Sequence, residues 1–495
     1  MVAGQPFEVN VQDIGNWIAG EQRAAHSAGW RDKMNPHDGS VLSRFADSGA
    51  EDVADAVAVA AEAYPAWSAQ TPVARGQVLM RLAQAMRAQA DALATGIALE
   101  TGKPPGDAAG ETNGAILQGE FFAGEGMRLY GRSLTSGMPG KQSMTLRQPH
   151  GVVGLIVPAN TPIANIAWKI FPALVCGNTV VLKAAEDAPA VALQIAQLAQ
   201  SVGLPDGVLN VIQGTGQGAG KPLVEHHQIA LVSFTGSTAV GRWIAEVAGR
   251  RLARVSLELG GVNPLVVCDD ADMQKAVHWA SLSAFSNAGQ RCAAGSRLLV
   301  FESVYEEFRA ALVEKARSLT LGVHAGADLG PVINATQQAA IFNHVEQASA
   351  AGLSVLCGGQ KPASGVPSEG YYVEPTLLER PAGAANDQLD EEVFGPIATL
   401  QPVKDLREAL AKANATRYGL TAAIHTQSVD RAMWFGREVR AGVANINMGT
   451  YGSEPHMPFG GFGLSGNGTR EPGVEALDVY SELKNLSWLV RDDQL

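Results

Sequence analysis

Only four cysteines occur in 495 residues, at positions 176, 268, 292 and 357, and none is spaced as CxxC. That is too few for a disulfide framework in so long a chain, and the spacing is wrong for a zinc site. Cys176 and Cys268 lie in or beside the apolar stretches PALVCG and PLVVCDD, where a small buried hydrophobe is expected. Cys292, in GQRCAAGSR, has no such run around it. The ten histidines are scattered, and the one adjacent pair, His226 and His227, has neither an i, i+4 relation nor a cysteine partner, so no metal site is expected. Charged residues are only 17% of the chain and the net charge is -12. This argues against nucleic acid or an anionic membrane, both of which demand clustered lysine and arginine, and favours a small-molecule partner. No run approaches the about 18 apolar residues needed to span a bilayer, and MVAGQPFEVN lacks the basic-then-apolar pattern of a signal peptide. The expectation is a soluble, cytoplasmic protein.

The length corresponds to roughly three domain equivalents of about 150 residues, and 46% hydrophobic residues is ordinary globular composition. Ala-rich sequence from Asp52 to about Trp67, and again from Arg75 to about Glu100, carries apolar residues at helical spacing and predicts two amphipathic covering helices. Short apolar runs then alternate with helical segments: VVGLIV at 152, TVVLK at 179, VLNVI at 208, IALVSF at 229 and RVSLEL at 254, with helices over Pro189 to Gly203 and Ser237 to Ala248. That alternation predicts βαβ units and a parallel sheet covered on both faces. A second set starts at LVVC near 265, continues through a helix from about Ala271 to Asn287 and resumes with RLLVF at 297. Two α/β domains follow, with a boundary near Glu258 to Asn263. The stretch from 126 to 149 and the tail from 478 are turn-rich and locally alternating, which predicts a projecting hairpin whose edges need a partner.

In an open parallel sheet, ligands bind beyond the carboxyl ends of the strands. Pro158, Ala159 and Asn160 follow the first run, and Lys183 and Glu186 follow the second. Thr235, Gly236, Ser237 and Thr238 follow IALVSF and open a helix whose N-terminus favours phosphate. Lys183 and Glu186 suit ribose hydroxyls and the turn at 236 to 241 suits a pyrophosphate, so a dinucleotide is expected. The GxGxxG fingerprint is absent, and GTGQGAG at 214 to 220 reads by itself as a turn.

The motifs PANTP at 158, KAAE at 183, FTGST at 234, LELGG at 257, GQRC at 289, EEVFGP at 391, PFGG at 458 and SGNG at 465 occur in that order. In order and spacing the chain resembles the aldehyde dehydrogenase superfamily, in its NAD(P)-dependent, hydrolytic, non-acylating branch, over nearly its whole length. The resemblance implies oxidation of an aldehyde to the carboxylic acid. Cys292 would be the nucleophile, its thiol pKa lowered by backbone N–H groups and the nicotinamidium charge. Asn160 would stabilise the oxyanion together with the backbone N–H of Cys292, although an asparagine before Pro162 also reads as a turn residue. Glu258 would be the general base that hydrolyses the thioester; alone it would read as a solvated strand end, but the apolar and glycine neighbours suggest a partly buried carboxylate. Lys183, Glu186, Gly216, Phe234, Gly236, Ser237, Gln337, Glu392 and Phe394 would hold NAD, with NADP as an alternative; a Glu186 carboxylate on the adenosine 2′-OH would repel a 2′-phosphate. Asn165, Trp168, Arg291, Ala293 and Phe459 would surround the substrate, although Trp168 and Phe459 read equally as core aromatics. Glu454 and His456 add polar character to the segment from Met448 to Met457.

The implied fold is α/β: a Rossmann-like parallel-sheet cofactor domain (1–125 and 149–258), a second α/β catalytic domain (259–447) and a small β oligomerisation arm (126–148 and 478–495), with 448–477 returning to the cofactor domain. A homodimer or homotetramer is expected, acting on a small-molecule aldehyde without membrane or nucleic acid. Three positions depart from the family pattern. Ala184 replaces a proline, Thr161 replaces an aromatic residue, and Val262 replaces a lysine, which would remove a cation close to the general base. Competing readings are a coenzyme A-acylating relative, which generally lacks the glutamate at 258, and a non-catalytic binding protein of the same fold. A cysteine hydrolase would need a histidine base.

Overall fold

The computed structural model describes residues 12–381 and 391–490. Residues 1–11, residues 382–390 of the expected catalytic domain and residues 491–495 of the expected arm lie outside them. Two seven-stranded sheets organise the molecule. In the first, five parallel strands run in the order Arg254–Glu258, Ile229–Thr235, Val152–Ile156, Thr179–Lys183 and Leu209–Ile212. Their side chains are buried almost throughout, which is why they appear in sequence as continuous apolar runs. Asn16–Ile18 extends this sheet antiparallel to Leu209–Ile212, and Glu21–Arg23 pairs antiparallel with Asn16–Ile18, an addition too short to show a pattern in sequence.

The second sheet is ordered Ser354–Cys357, Thr376–Glu379, Ile397–Val403, Gly295–Phe301, Asn263–Val267, Thr421–His425 and Val443–Ile446, parallel except for its first pair. The chain leaves the first sheet at Glu258 and enters the second at Asn263. Two separate apolar layers pack the faces of the first sheet, and others pack those of the second. The α/β fold class expected from the sequence is the one observed.

Two helical expectations need correction. The segment from Arg75 to Glu100 is two helices, Pro72–Ala88 and Ala90–Thr101, because Gln89 departs from helical geometry at φ -113°, ψ 20°. Ala-rich composition on both sides hides that break. The helix expected to reach Asn287 ends at Phe285; Asn287 and Ala288 turn left-handed, at φ 54° and 53°. The turn leads directly into the loop that carries Cys292. In the stretch from 126 to 149, Ser133–Leu134 and Lys141–Pro149 are strands, and Lys141–Pro149 pairs antiparallel with Ser481–Leu489 along its whole length.

Candidate active site

A cavity of about 420 Å³ lies between the two sheets and is lined by Asn160, Asn165, Trp168, Gly236, Ser237, Glu258, Cys292, Gln337, Glu392, Phe394 and Phe459, among others. Eleven of the seventeen site residues picked from the sequence thus meet in one place.

Cys292 is free and half-buried. Its backbone is pinned by Asn263, whose amide donates to the carbonyls of Cys292 and Ala294 at 2.8 Å each, while the Thr450 hydroxyl donates to Ala293 O at 2.7 Å. Gly289 precedes this loop at φ 68°, and a Cβ there would lie 1.9 Å from the carbonyl oxygen of Gly395. Only glycine lets the cysteine loop cross the loop carrying Phe394. Burial pushes the thiol pKa up to about 12, Glu392 and Glu258 adding to the rise and a hydrogen bond to the Ala293 backbone opposing it. In the polypeptide alone the expected N–H contribution is present but outweighed by burial and two carboxylates, which leaves the nicotinamidium charge as the remaining expected lowering influence.

Asn160 sits between the strand Val152–Ile156 and the helix Pro162–Cys176, which starts on Pro162 and ends at left-handed Gly177. Its Nδ2 donates to Gln290 O at 2.8 Å, and its Oδ1 is buried without a partner among the described residues. The loop is held from behind. The Lys103 ammonium donates to Asn160 O at 2.8 Å and pairs with Glu111, whose carboxylate in turn accepts from Ile163 N and Ala164 N at the helix start. Lys103 and Glu111 are both nearly fully buried, and nothing local in sequence announces a pair that acts on residues some fifty positions away.

Glu258 ends its strand, is 4% exposed, and neither carboxylate oxygen has a hydrogen-bond partner among the described residues. Burial holds its carboxyl well above the usual range; the neighbouring Glu471 carboxylate adds to this, and Lys169 and Arg470 oppose it. Lys169 and Glu471 form a fully buried pair at 2.7 Å, with Ser233, Ser256 and Tyr480 also donating to Glu471. Sequence reading missed this pair, though a lysine inside the apolar run IANIAWKIFPALVC was the available signal. Val262, by contrast, packs with Ala413, Tyr418 and Val439 around a separate small void. The cations acting on Glu258 come from positions 169 and 470, so the valine does not strip the base of its cation as the family comparison suggested.

Phe394 stands at φ 57°, and the Gln337 amide donates to Val393 O and Phe394 O at 2.8 and 3.0 Å. Gln337 thus shapes the Phe394 loop with its amide nitrogen. Glu392 accepts from Gly261 N at 3.1 Å, and burial raises its pKa to about 7. Six of the chosen residues stand outside the cavity lining. Arg291 lies over the Tyr451 ring at 4.8 Å and reaches Ser286, and Ala293 is buried beside Phe459. Lys183, Glu186, Gly216 and Phe234 lie along the strand ends of the first sheet.

These strand ends fit a dinucleotide. Gly236 passes over the Phe234 ring so closely that a Cβ would meet it at 2.4 Å, leaving bare backbone at the start of the helix Thr238–Gly249. Lys183 is only 4% exposed, and desolvation lowers its pKa, with Glu186 and Asp187 opposing. Such a cation suits ribose hydroxyls.

The profile described as the aldehyde dehydrogenase family matches residues 23–486. This chain belongs to that family. It is 37% identical over 474 residues to an α-ketoglutaric semialdehyde dehydrogenase of Bacillus subtilis, covering 95% of this chain and 97% of that protein. It is 38% identical to a phenylacetaldehyde dehydrogenase of Pseudomonas fluorescens, over 95% and 94% of the two chains. The structure of PnpE in complex with nicotinamide adenine dinucleotide superposes at TM-score 0.93 and 37% identity, covering 96% of this chain and 98% of that one; PnpE comes from Pseudomonas sp. WBC-3. The protein is an NAD(P)-dependent aldehyde dehydrogenase, oxidising an aldehyde to the carboxylic acid. No helix among the described residues is long and apolar enough to cross a membrane.

Proposed function

We propose that Cys292 is the nucleophile, that Asn160 and the Cys292 backbone N–H stabilise the oxyanion, and that Glu258 is the general base, on an aromatic or medium-length aliphatic aldehyde with NAD preferred. The observation that carries this is the convergence on one cavity of a free thiol, a side-chain amide and a buried carboxylate with both oxygens unpartnered. A buried carboxylate without partners is costly unless it has work to do on a proton.

The thiol proton is lost to solvent through the cavity as sulfur bonds to the carbonyl carbon, and the carbonyl electron pair moves onto oxygen. One N–H of the Asn160 amide is on Gln290 O, which leaves the other for that oxygen, in an orientation fixed by Lys103 and Asn287 on the Asn160 carbonyl. Such preorganised donors are worth about 10²- to 10³-fold each. Glu392 and Phe394 would hold a nicotinamide, which would supply the hydride acceptor and a positive charge offsetting the two carboxylates near the sulfur. Glu258 then takes a proton from water as it attacks the thioester, and the Cys292 sulfur leaves. Among the cavity-lining residues there is no histidine, so a histidine-activated hydrolase has no support, and Glu258 favours water over a thiol as acyl acceptor.

Residues 1–125 and 149–258 form the dinucleotide-binding unit and 259–447 the catalytic unit in this reading, with 448–477 returning to bring Phe459 and Glu471 to the site. The arm, 126–148 and 478–495, joins subunits. Leu483, Leu486 and Leu489 on its paired strand are 62%, 45% and 53% exposed, more apolar surface than an edge strand carries alone. Light scattering is expected to give a dimer or tetramer mass; a monomer at micromolar concentration contradicts this.

Glu186 is exposed three residues beyond the end of the Lys183 strand. Its carboxylate is expected to raise kcat/KM for NAD at least about tenfold over NADP through repulsion of a 2′-phosphate. An aldehyde panel with each coenzyme, followed by NADH or NADPH absorbance, tests both statements. No turnover with any aldehyde overturns the function, and a higher kcat/KM with NADP overturns the coenzyme preference alone.

A further inference from the structure

The helix Pro162–Cys176 presents Thr161, Ala164, Asn165 and Trp168 to the cavity, one stripe at helical spacing. Asn165 is only 6% exposed, yet it is polar in a wall otherwise shaped by the Trp168 and Phe459 rings, whose centroids are 5.5 Å apart. Its amide orientation is determined by its partners. Nδ2 donates to Thr161 O at 2.9 Å and to Thr161 Oγ1 at 2.8 Å. A carbonyl oxygen can only accept, so the atom facing it must be the nitrogen and the flipped amide is excluded. Both amide hydrogens are therefore used, and Oδ1, which has no partner among the described residues, is the atom left to the cavity. The Thr161 hydroxyl, having accepted from Asn165, keeps its own hydrogen to donate. The cavity-lining residues include Glu258 and Glu392 and no lysine, arginine or histidine. Arg291, beside Cys292, is stacked on Tyr451 outside the lining, and Lys169, beside Trp168, is fully buried against Glu471.

We infer that the aldehyde this site prefers carries a hydroxyl group, which donates to Asn165 Oδ1 and accepts from Thr161 Oγ1 while its body lies against the packed Trp168 and Phe459 pair. The inference rests on the proposed site and narrows its substrate class. A hydroxyl replaces the water that would otherwise satisfy Oδ1, with both partners matched. A methyl ether cannot donate and leaves the acceptor unmet in a mostly apolar pocket. A carboxylate cannot donate either, and the lining offers it two acidic side chains and no cation, Lys169 and Arg470 standing outside that lining.

The test compares kcat/KM, with NAD, for benzaldehyde, 3- and 4-hydroxybenzaldehyde, their methoxy analogues, 4-carboxybenzaldehyde, 4-hydroxybutanal, butanal and succinic semialdehyde. The better hydroxy compound of each pair is expected to exceed its methoxy or unsubstituted counterpart about tenfold, with the carboxylates lowest. In Asn165→Leu the hydroxy-to-unsubstituted ratio is expected to fall to about one, and in Thr161→Val to fall part of the way. A hydroxy advantage absent from the parent enzyme, or a carboxylate substrate leading the series, overturns the inference while leaving the dehydrogenase function standing, because every aldehyde in the panel reports turnover. If Asn165→Leu does not fold, the parent series decides by itself.

Discussion

Cys292→Ala lowers aldehyde-dependent NADH formation by between about 10⁴- and 10⁶-fold, while NAD binding and thermal unfolding stay close to those of the parent protein. The loss is large because the thiol makes the only covalent bond to substrate, and the remaining donors at Asn160 and the loop backbone stabilise an oxyanion that no longer forms. The structure gives little reason for a folding defect. The cysteine side chain is half-buried in a small cluster with Ala293, Leu420 and Phe459, and removing one sulfur there costs on the order of 1 kcal/mol. The loop is held independently, through Asn263 and Thr450 on main-chain carbonyls. Stopped-flow absorbance with titrated NAD separates the two readouts; an alanine variant retaining a tenth of the parent rate would remove Cys292 from the mechanism.

Glu258→Gln behaves differently: the first turnover survives and the steady state collapses. Glutamine keeps the size of the side chain and removes the base, so thioester hydrolysis slows by about 10²- to 10⁴-fold. Acylation is affected less, because the Glu258 carboxylate is one of the groups holding the thiol pKa up and its removal eases thiolate formation. A burst of about one NADH per active site followed by slow turnover is the expected record. The pH dependence carries the same information. Glu258 must be deprotonated to act, and its carboxyl is held well above the ordinary range. The hydrolytic rate of the parent enzyme should therefore rise with pH through that elevated value and level off above it, and that limb should be missing from the glutamine variant. Undiminished steady-state turnover in Glu258→Gln would end the assignment.

The first sheet was readable because its strands are buried on both faces, so Val152–Ile156, Thr179–Lys183 and Ile229–Thr235 stand out as unbroken apolar runs between helices. Cys292 was readable by contrast, as the cysteine without an apolar context. The supporting contacts were not. Lys169 and Glu471 are 302 positions apart, and Lys103 reaches Asn160 across 57; no local pattern encodes a pairing that only the tertiary fold creates. Val262 shows the opposite failure. Adjacency to LELGG suggested closeness to the base, but consecutive residues leaving a strand diverge, and its side chain packs toward Ala413 and Val439 instead. The burial and the Glu258 and Glu392 carboxylates that raise the Cys292 thiol pKa are likewise tertiary, and no stretch around GQRC announces them.

The covalent step itself is open to direct observation. Glu258→Gln, mixed with NAD and a turned-over aldehyde and quenched in acid within the burst, is digested and its peptides weighed. The peptide containing Cys292, and no other, should gain the mass of the substrate acyl group in a bond that hydroxylamine cleaves. An unmodified Cys292 peptide at full burst amplitude, or an acyl group on any other residue, would contradict the thioester mechanism.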